Sequence, residues 1–160
     1  NEIDYFSWRF MFNKMIIAIL LLTSITFAAD DWLHNYEEAV KIAKKDNKKI
    51  VLYFSGSDWC RPCILLKKKV FETEEFKKYA NKHLVMVQFD FPAREQNKLS
   101  EEQTVYNENM ADRFNQDGDF PKVVLLTSDE KTIANFVGYG NESVADYITK
   151  IKNAALEKDQ

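Results

Sequence analysis

Cys60 and Cys63 are the only cysteines in the 160-residue chain, set two residues apart in Gly56-Ser57-Asp58-Trp59-Cys60-Arg61-Pro62-Cys63. Two thiols at that spacing can do redox work. On one turn of helix, residues three apart share a face, so the sulfurs can join and part with little backbone movement. The flanking residues supply such a setting. Ile50-Val51-Leu52-Tyr53-Phe54 is a continuous apolar run rich in β-formers, the pattern of a strand buried on both faces of a sheet. Ile64-Leu65-Leu66-Lys67-Lys68-Lys69-Val70 reads as at least two turns of helix. Cys60 therefore falls at a helix start, where unpaired N–H groups and the dipole favour an anion such as a thiolate. Half a zinc site is the weaker alternative, because no second cysteine pair exists and His34 and His83 lack ligand spacing; no metal is expected. A static disulfide of an exported protein is the stronger rival.

Trp59-Cys60-Arg61-Pro62-Cys63 resembles the active-site motif of thioredoxin-fold proteins, and its Pro62 matches the reducing members more closely than the oxidising ones. The stretch from Phe54 to Phe91 is similar to the extracytoplasmic bacterial thioredoxin-like proteins, a branch that includes the C-terminal domain of the transmembrane thiol:disulfide interchange protein. The resemblance covers about residues 31–157. It implies an α/β thioredoxin fold, with a mixed four-stranded sheet flanked by helices on both faces. It also implies a redox-active Cys60–Cys63 disulfide with no further cofactor. An exposed Cys60 thiolate would attack a substrate disulfide, and Cys63 would then resolve the mixed disulfide.

The same resemblance implies a peptide-binding surface around the dithiol. Trp59 would shield the sulfur and join that surface, beside Pro62, and Arg61 would add a charge that lowers the Cys60 pKa. Phe120-Pro121 matches the family's cis proline, which faces the dithiol; the Phe120 backbone would hold an incoming peptide as a short added strand. A glycine matching Gly138 lies beside the site in relatives, with an ordinary turn glycine as the alternative. One departure stands out. Many thioredoxins carry a buried aspartate six residues before the first cysteine, thought to manage the proton of the resolving thiol. Phe54 occupies that position, and Asp58 is expected to be exposed in its loop, which leaves water or a lysine to serve Cys63.

The elements that must hold these residues can be read in order. Leu33, Tyr36, Val40 and Ala43 follow helical spacing, with Asp30 or Asp31 as N-cap and Lys44, Lys45, Lys48 and Lys49 at the C-terminal end. Thr73 caps a short helix that turns Phe76, Tyr79 and Ala80 inward, and Leu84–Phe89 is a second buried strand. A helical crossover between two buried strands makes them parallel. Residues 92–100 read as a solvent loop. Ser100-Glu101-Glu102-Gln103 is a capping box for a helix running to about Asn115, expected to bury Val105 and Met110, with Tyr106 and Phe114 as further candidates. Val123–Leu126 and Thr132–Val137 form a hairpin about the Ser128-Asp129-Glu130-Lys131 turn. A last helix capped by Ser143 buries Val144, Tyr147, Ile148, Ile151 and Ala155. No obvious first edge strand is apparent.

A 46% hydrophobic composition and this length allow one compact domain, taken as residues 29–160 and as a monomer. With 22 basic and 25 acidic residues the net charge is −3, which offers no polycationic surface for nucleic acid. Residues 15–28 are an apolar segment after Arg9 and Lys14, with Thr26 and Ala28 as small residues before Ala29. This is signal-peptide architecture, with cleavage after Ala28, since about 14 apolar residues fall short of the roughly 20 that span a membrane. A retained anchor is the rival, and Met11 is the expected start, residues 1–10 standing apart. The chain thus reads as an extracytoplasmic thiol-disulfide oxidoreductase, periplasmic or secreted. It would reduce or isomerise disulfides of exported proteins and draw electrons from a membrane donor. A non-catalytic partner-binding module with a locked disulfide is the competing class.

Overall fold

The computed structural model describes residues 32–157, so the expected signal segment at 15–28, the expected cleavage after Ala28 and residues 1–10 lie outside the described residues. The elements are α1 (Tyr36–Asp46), β1 (Lys49–Ser55), α2 (Arg61–Leu66), a π-helical turn (Lys67–Phe71), α3 (Glu74–His83), β2 (Leu84–Asp90), a 3-10 turn (Glu95–Asn97), α4 (Glu101–Phe114), β3 (Lys122–Leu126), β4 (Thr132–Val137) and α5 (Val144–Glu157). The four strands form one sheet in the order β2-β1-β3-β4. β1 runs parallel to β2 and antiparallel to β3, which pairs antiparallel with β4.

Because successive residues of a strand face opposite sides, the apolar runs feed two cores. Val51, Tyr53, Met86, Val123 and Leu125 meet α2, the π-helical turn, α3 and α5 through Leu66, Val70, Phe71, Phe76, Tyr147 and Ile151. Ile50, Leu52, Phe54, Val87, Phe89 and Val124 meet α1 through Tyr36, Ala39 and Ala43, with Met110 and Phe114 of α4 packed against them. This is the mixed four-stranded sheet with helices on both faces.

Three helix starts carry the caps that the sequence promised. The Thr73 hydroxyl accepts from the Phe76 N–H, the Ser100 hydroxyl from Gln103 N–H, and Ser143 from Asp146 N–H. Each satisfies one of the orphan donors of its first turn. The Ser100 box is one-sided: the Gln103 side chain turns instead to the His34 carbonyl and to Asn107.

Two expectations are corrected. Leu33 is not helical, and the N-cap of α1 is Asn35, which accepts from the Glu38 N–H at 2.7 Å; the expected caps, Asp30 and Asp31, lie outside the described residues. Leu33 instead makes a parallel bridge with Val87 on the outer edge of β2, its N–H donating to the Met86 carbonyl and its carbonyl accepting from the Gln88 N–H. The missing edge strand is thus present as a single bridge, which occupies polar groups that an open edge would expose. Second, Val105 is 50% exposed, whereas Asn107 is buried at 2%. The inward stripe of α4 runs through Gln103, Tyr106, Asn107, Met110 and Phe114, and Val105 lies off it. Asn107 is tolerated inside because its amide donates to the Asp90 carbonyl at 2.8 Å and its oxygen accepts from Gln103.

Candidate functional site

β1 ends at Ser55, and Gly56 to Trp59 turn the chain into α2. Cys60 is the N-cap of that helix, in extended conformation, with Pro62 within the first turn. Proline suits this place because its missing N–H would be unpaired there anyway. The cysteines are joined, with Cα atoms 5.3 Å apart, and the Cys63 N–H points at Cys60 Sγ at 3.3 Å. A donor aimed at the sulfur from a helix start favours its anionic form.

The expected exposure of Cys60 is corrected: it is 5% exposed, against 1% for Cys63. The bond ties its sulfur to one packed against the sheet, among Tyr53, Leu66 and Val70. Arg61 and Pro62 are exposed and Trp59 is half exposed. The Tyr53 hydroxyl donates to the Cys63 carbonyl at 2.9 Å, which fixes the first turn of α2 to β1.

Trp59 is held in place from three sides. Its Nε1 donates to the Phe91 carbonyl at 2.7 Å. Its ring meets Phe120 edge-on at 5.5 Å, and Phe120 in turn meets Phe91 at 5.4 Å. Beneath it lies Gly56, where an added Cβ would fall inside the indole.

The Phe120–Pro121 peptide bond is cis. Among the described residues neither the Phe120 N–H nor its carbonyl has a hydrogen-bond partner, while the Pro121 carbonyl accepts from the Gly138 N–H at 2.8 Å. Gly138 has φ +75 and open space where a Cβ would stand, so the turn itself requires glycine. The structure therefore brings Trp59, Phe120, Pro121 and Gly138 to the same end of the sheet as the disulfide.

The motif alone did not mark Phe91, Asp58 and Asp90 as parts of this site. Asp58 accepts from the Ala93 and Arg94 N–H groups and from the Asn97 amide, each at 2.9 Å. Residues 93–97, read as a free loop, are thereby clamped to the motif. Asp90 accepts from the Ser55 hydroxyl and from both the N–H and hydroxyl of Ser57. Aspartates within turns followed by unpaired N–H groups were the available signal.

The hydrogen bonds from Ala93 and then Asn97 hold the Asp58 carboxyl below its ordinary value of 3.8. A depressed folded pKa gives an anchoring contribution that is present above the unfolded value and lost as pH falls through the folded one. The protection factors of the Ala93 and Arg94 amides, taken against intrinsic exchange at the same pH, should therefore hold through neutral and mildly acid pH and fall only below the ordinary carboxylate range. Asp58→Ala should remove most of that protection at neutral pH. Equal exchange in the two proteins at neutral pH would refute the clamp.

Comparison with known proteins agrees with this geometry. Residues 31–128 match the family described as thioredoxin-like. The chain is 36% identical over 127 residues to the disulfide bond reductase DsbH of Chlamydia pneumoniae, covering 79% of this chain and 74% of that protein. It superimposes on the solved structure of a DsbH oxidoreductase with a TM-score of 0.69 and 34% identity, over 84% of this chain and 91% of that one. The oxidised DsbD C-terminal domain of Neisseria meningitidis is similar in fold, with a TM-score of 0.52 at 15% identity, over 74% of this chain and 90% of that one. The chain belongs to the thioredoxin-like family and is a thiol-disulfide oxidoreductase.

Proposed function

We propose that the protein is a reductase of disulfides in exported proteins, working outside the cytoplasm with Cys60 as nucleophile and Cys63 as resolving thiol. The observation that carries the catalytic half is the Cys63 N–H directed at Cys60 Sγ from the start of α2. It supports an anionic Cys60 in the reduced state. The thiolate attacks one sulfur of a substrate disulfide, releasing the other as a thiol, and Cys63 then closes the ring and frees the second. An unpartnered Phe120 backbone beside the cis proline suits an extended peptide, added as a strand, with Trp59, Pro62 and Gly138 forming the walls of its path.

The reductive direction is supported by the relative named as a disulfide bond reductase and by Pro62 in the motif. In an oxidising compartment such an enzyme needs resupply, and a membrane thiol carrier is the chemical class that fits. Among the described residues no helix is long and apolar enough to cross a membrane.

Insulin reduction with added dithiol tests the reading. Wild type should accelerate precipitation of the insulin B chain, and Cys60→Ser should fall to the dithiol background. A reduction potential near thioredoxin's, about −270 mV, would support reduction, while one near about −120 mV would mean an oxidase. An unreactive disulfide, with no gain over background, would favour the binding module.

A further inference from the structure

The resolving thiol must lose its proton before it attacks, and Phe54 occupies the position where many thioredoxins keep an acid for that purpose. Strand alternation turns Phe54 to the α1 and α4 face, with its ring 5.1 Å from Phe89. Its neighbours Tyr53 and Ser55 face the other way, toward Cys63. There a cleft of about 290 Å³ is lined by Cys63, Tyr53, Ser55, Lys67 and Gln88. Lys67 Nζ donates to Gln88 Oε1 at 3.2 Å, and Gln88 Nε2 donates to Ser55 Oγ at 3.0 Å. Ser55 Oγ passes the chain on to Asp90 at 3.1 Å. Lys67 follows Cys63 by four residues, one turn further along the same helix face. The amide thus holds an ammonium in the cleft that contains the resolving cysteine.

We infer that Lys67, held by Gln88, is a positioning residue that supplies the counter-charge to the Cys63 thiolate. The inference rests on the thiol-disulfide exchange reading above. In the mixed disulfide, Cys60 Sγ is bonded to a substrate sulfur and Cys63 is a thiol. The Cys63 proton passes to water in the cleft. The thiolate attacks Cys60 Sγ, the Cys60–Cys63 bond forms, the Cys60–substrate bond breaks, and the substrate sulfur leaves with the electron pair and takes up a proton. Lys67 keeps its own proton throughout. A nearby cation in a partly desolvated site favours the thiolate over the thiol.

Of the other groups lining the cleft, Lys68 is the further cation, and it is exposed to solvent, where its charge is screened. The Tyr53 hydroxyl is engaged with the Cys63 carbonyl and stays neutral, since burial raises its pKa. Lys68 and Glu72 line the cleft with opposite charges. Asp90 is satisfied by Ser55 and Ser57, and His34 faces the Gln88 carbonyl.

The test mixes reduced protein with dithiobis(nitrobenzoate) and follows the release of coloured thiol by stopped flow across pH. The first release reports attack by Cys60, and the second reports attack by Cys63. Lys67→Gln should leave the first phase unchanged and move the midpoint of the second to higher pH, slowing it about tenfold at neutral pH. Lys67→Arg should restore the wild-type profile, and Gln88→Leu, which frees the ammonium from the strand side, should shift it the same way by less. A second phase in Lys67→Gln that superimposes on wild type, or a Lys67→Arg as slow as Lys67→Gln, overturns the assignment. A missing first phase in wild type would instead refute the exchange reading, and this inference with it.

Discussion

Cys63→Ser should convert the protein from a turnover catalyst into a trap. Cys60 keeps its helix start and still attacks a substrate disulfide, but no thiol stands one helical turn on to displace the bound half. The mixed disulfide then persists until an outside thiol finds a sulfur that is largely buried. Incubated with insulin, whose interchain disulfides it can attack, the variant should accumulate an adduct of about one insulin chain per protein. Non-reducing gels and intact mass would show it, and excess dithiol would dissolve it. Turnover should fall to background, as for Cys60→Ser, yet Cys60→Ser should form no such adduct. That contrast assigns the roles of the two sulfurs. Equal trapping by both variants, or trapping only by Cys60→Ser, would reverse the assignment or abolish it.

The largest stability effect is expected at Phe71→Ala. Phe71 is 2% exposed and ends the π-helical turn that continues α2. Its ring meets Phe76 at 4.9 Å, Tyr53 at 5.2 Å, Trp32 at 5.4 Å and Tyr147 at 5.6 Å. It therefore joins the helix carrying the cysteines to β1, α3, α5 and the segment before α1. Removing such a ring costs the lost transfer energy plus a cavity that four neighbouring rings cannot easily close, about 3–5 kcal/mol. Urea unfolding would measure it. The consequence reaches the site, because Tyr53 both packs on Phe71 and donates to the Cys63 carbonyl. A loss under about 1 kcal/mol would mean that the core repacks around the gap and that this cluster is not what fixes α2 to the sheet.

The elements were legible where local pattern and tertiary need coincided. Ile50–Phe54 and Leu84–Phe89 read as buried strands because both of their faces are covered by helices. Thr73, Ser100 and Ser143 announced helix starts because the N–H groups they satisfy are only three residues away. The Ser128–Lys131 turn made a hairpin. α4 misled because one apolar residue, Val105, sits off the inward stripe, while an amide, Asn107, lies on it. The Asp90 carbonyl and the Gln103 amide, which satisfy its two ends, make that burial possible. Leu33 misled because a single bridge on a sheet edge has no period to detect.

The sequence by itself determined the two-sided sheet, the dithiol at the end of its central strand and, through its motif, the family chemistry. These depend on contacts within a few residues or on an apolar period. What the tertiary structure decided was the particular hydrogen bonds and ring contacts that join residues far apart in the chain. The Trp59 indole rests on the Phe91 carbonyl and Phe120, Asp58 clamps residues 93–97, Gly138 closes on Pro121, and Lys67 meets Gln88 across the cleft beside Cys63. Hydrogen bonds of that span are set by which strand faces which helix, and no spacing within the sequence encodes them.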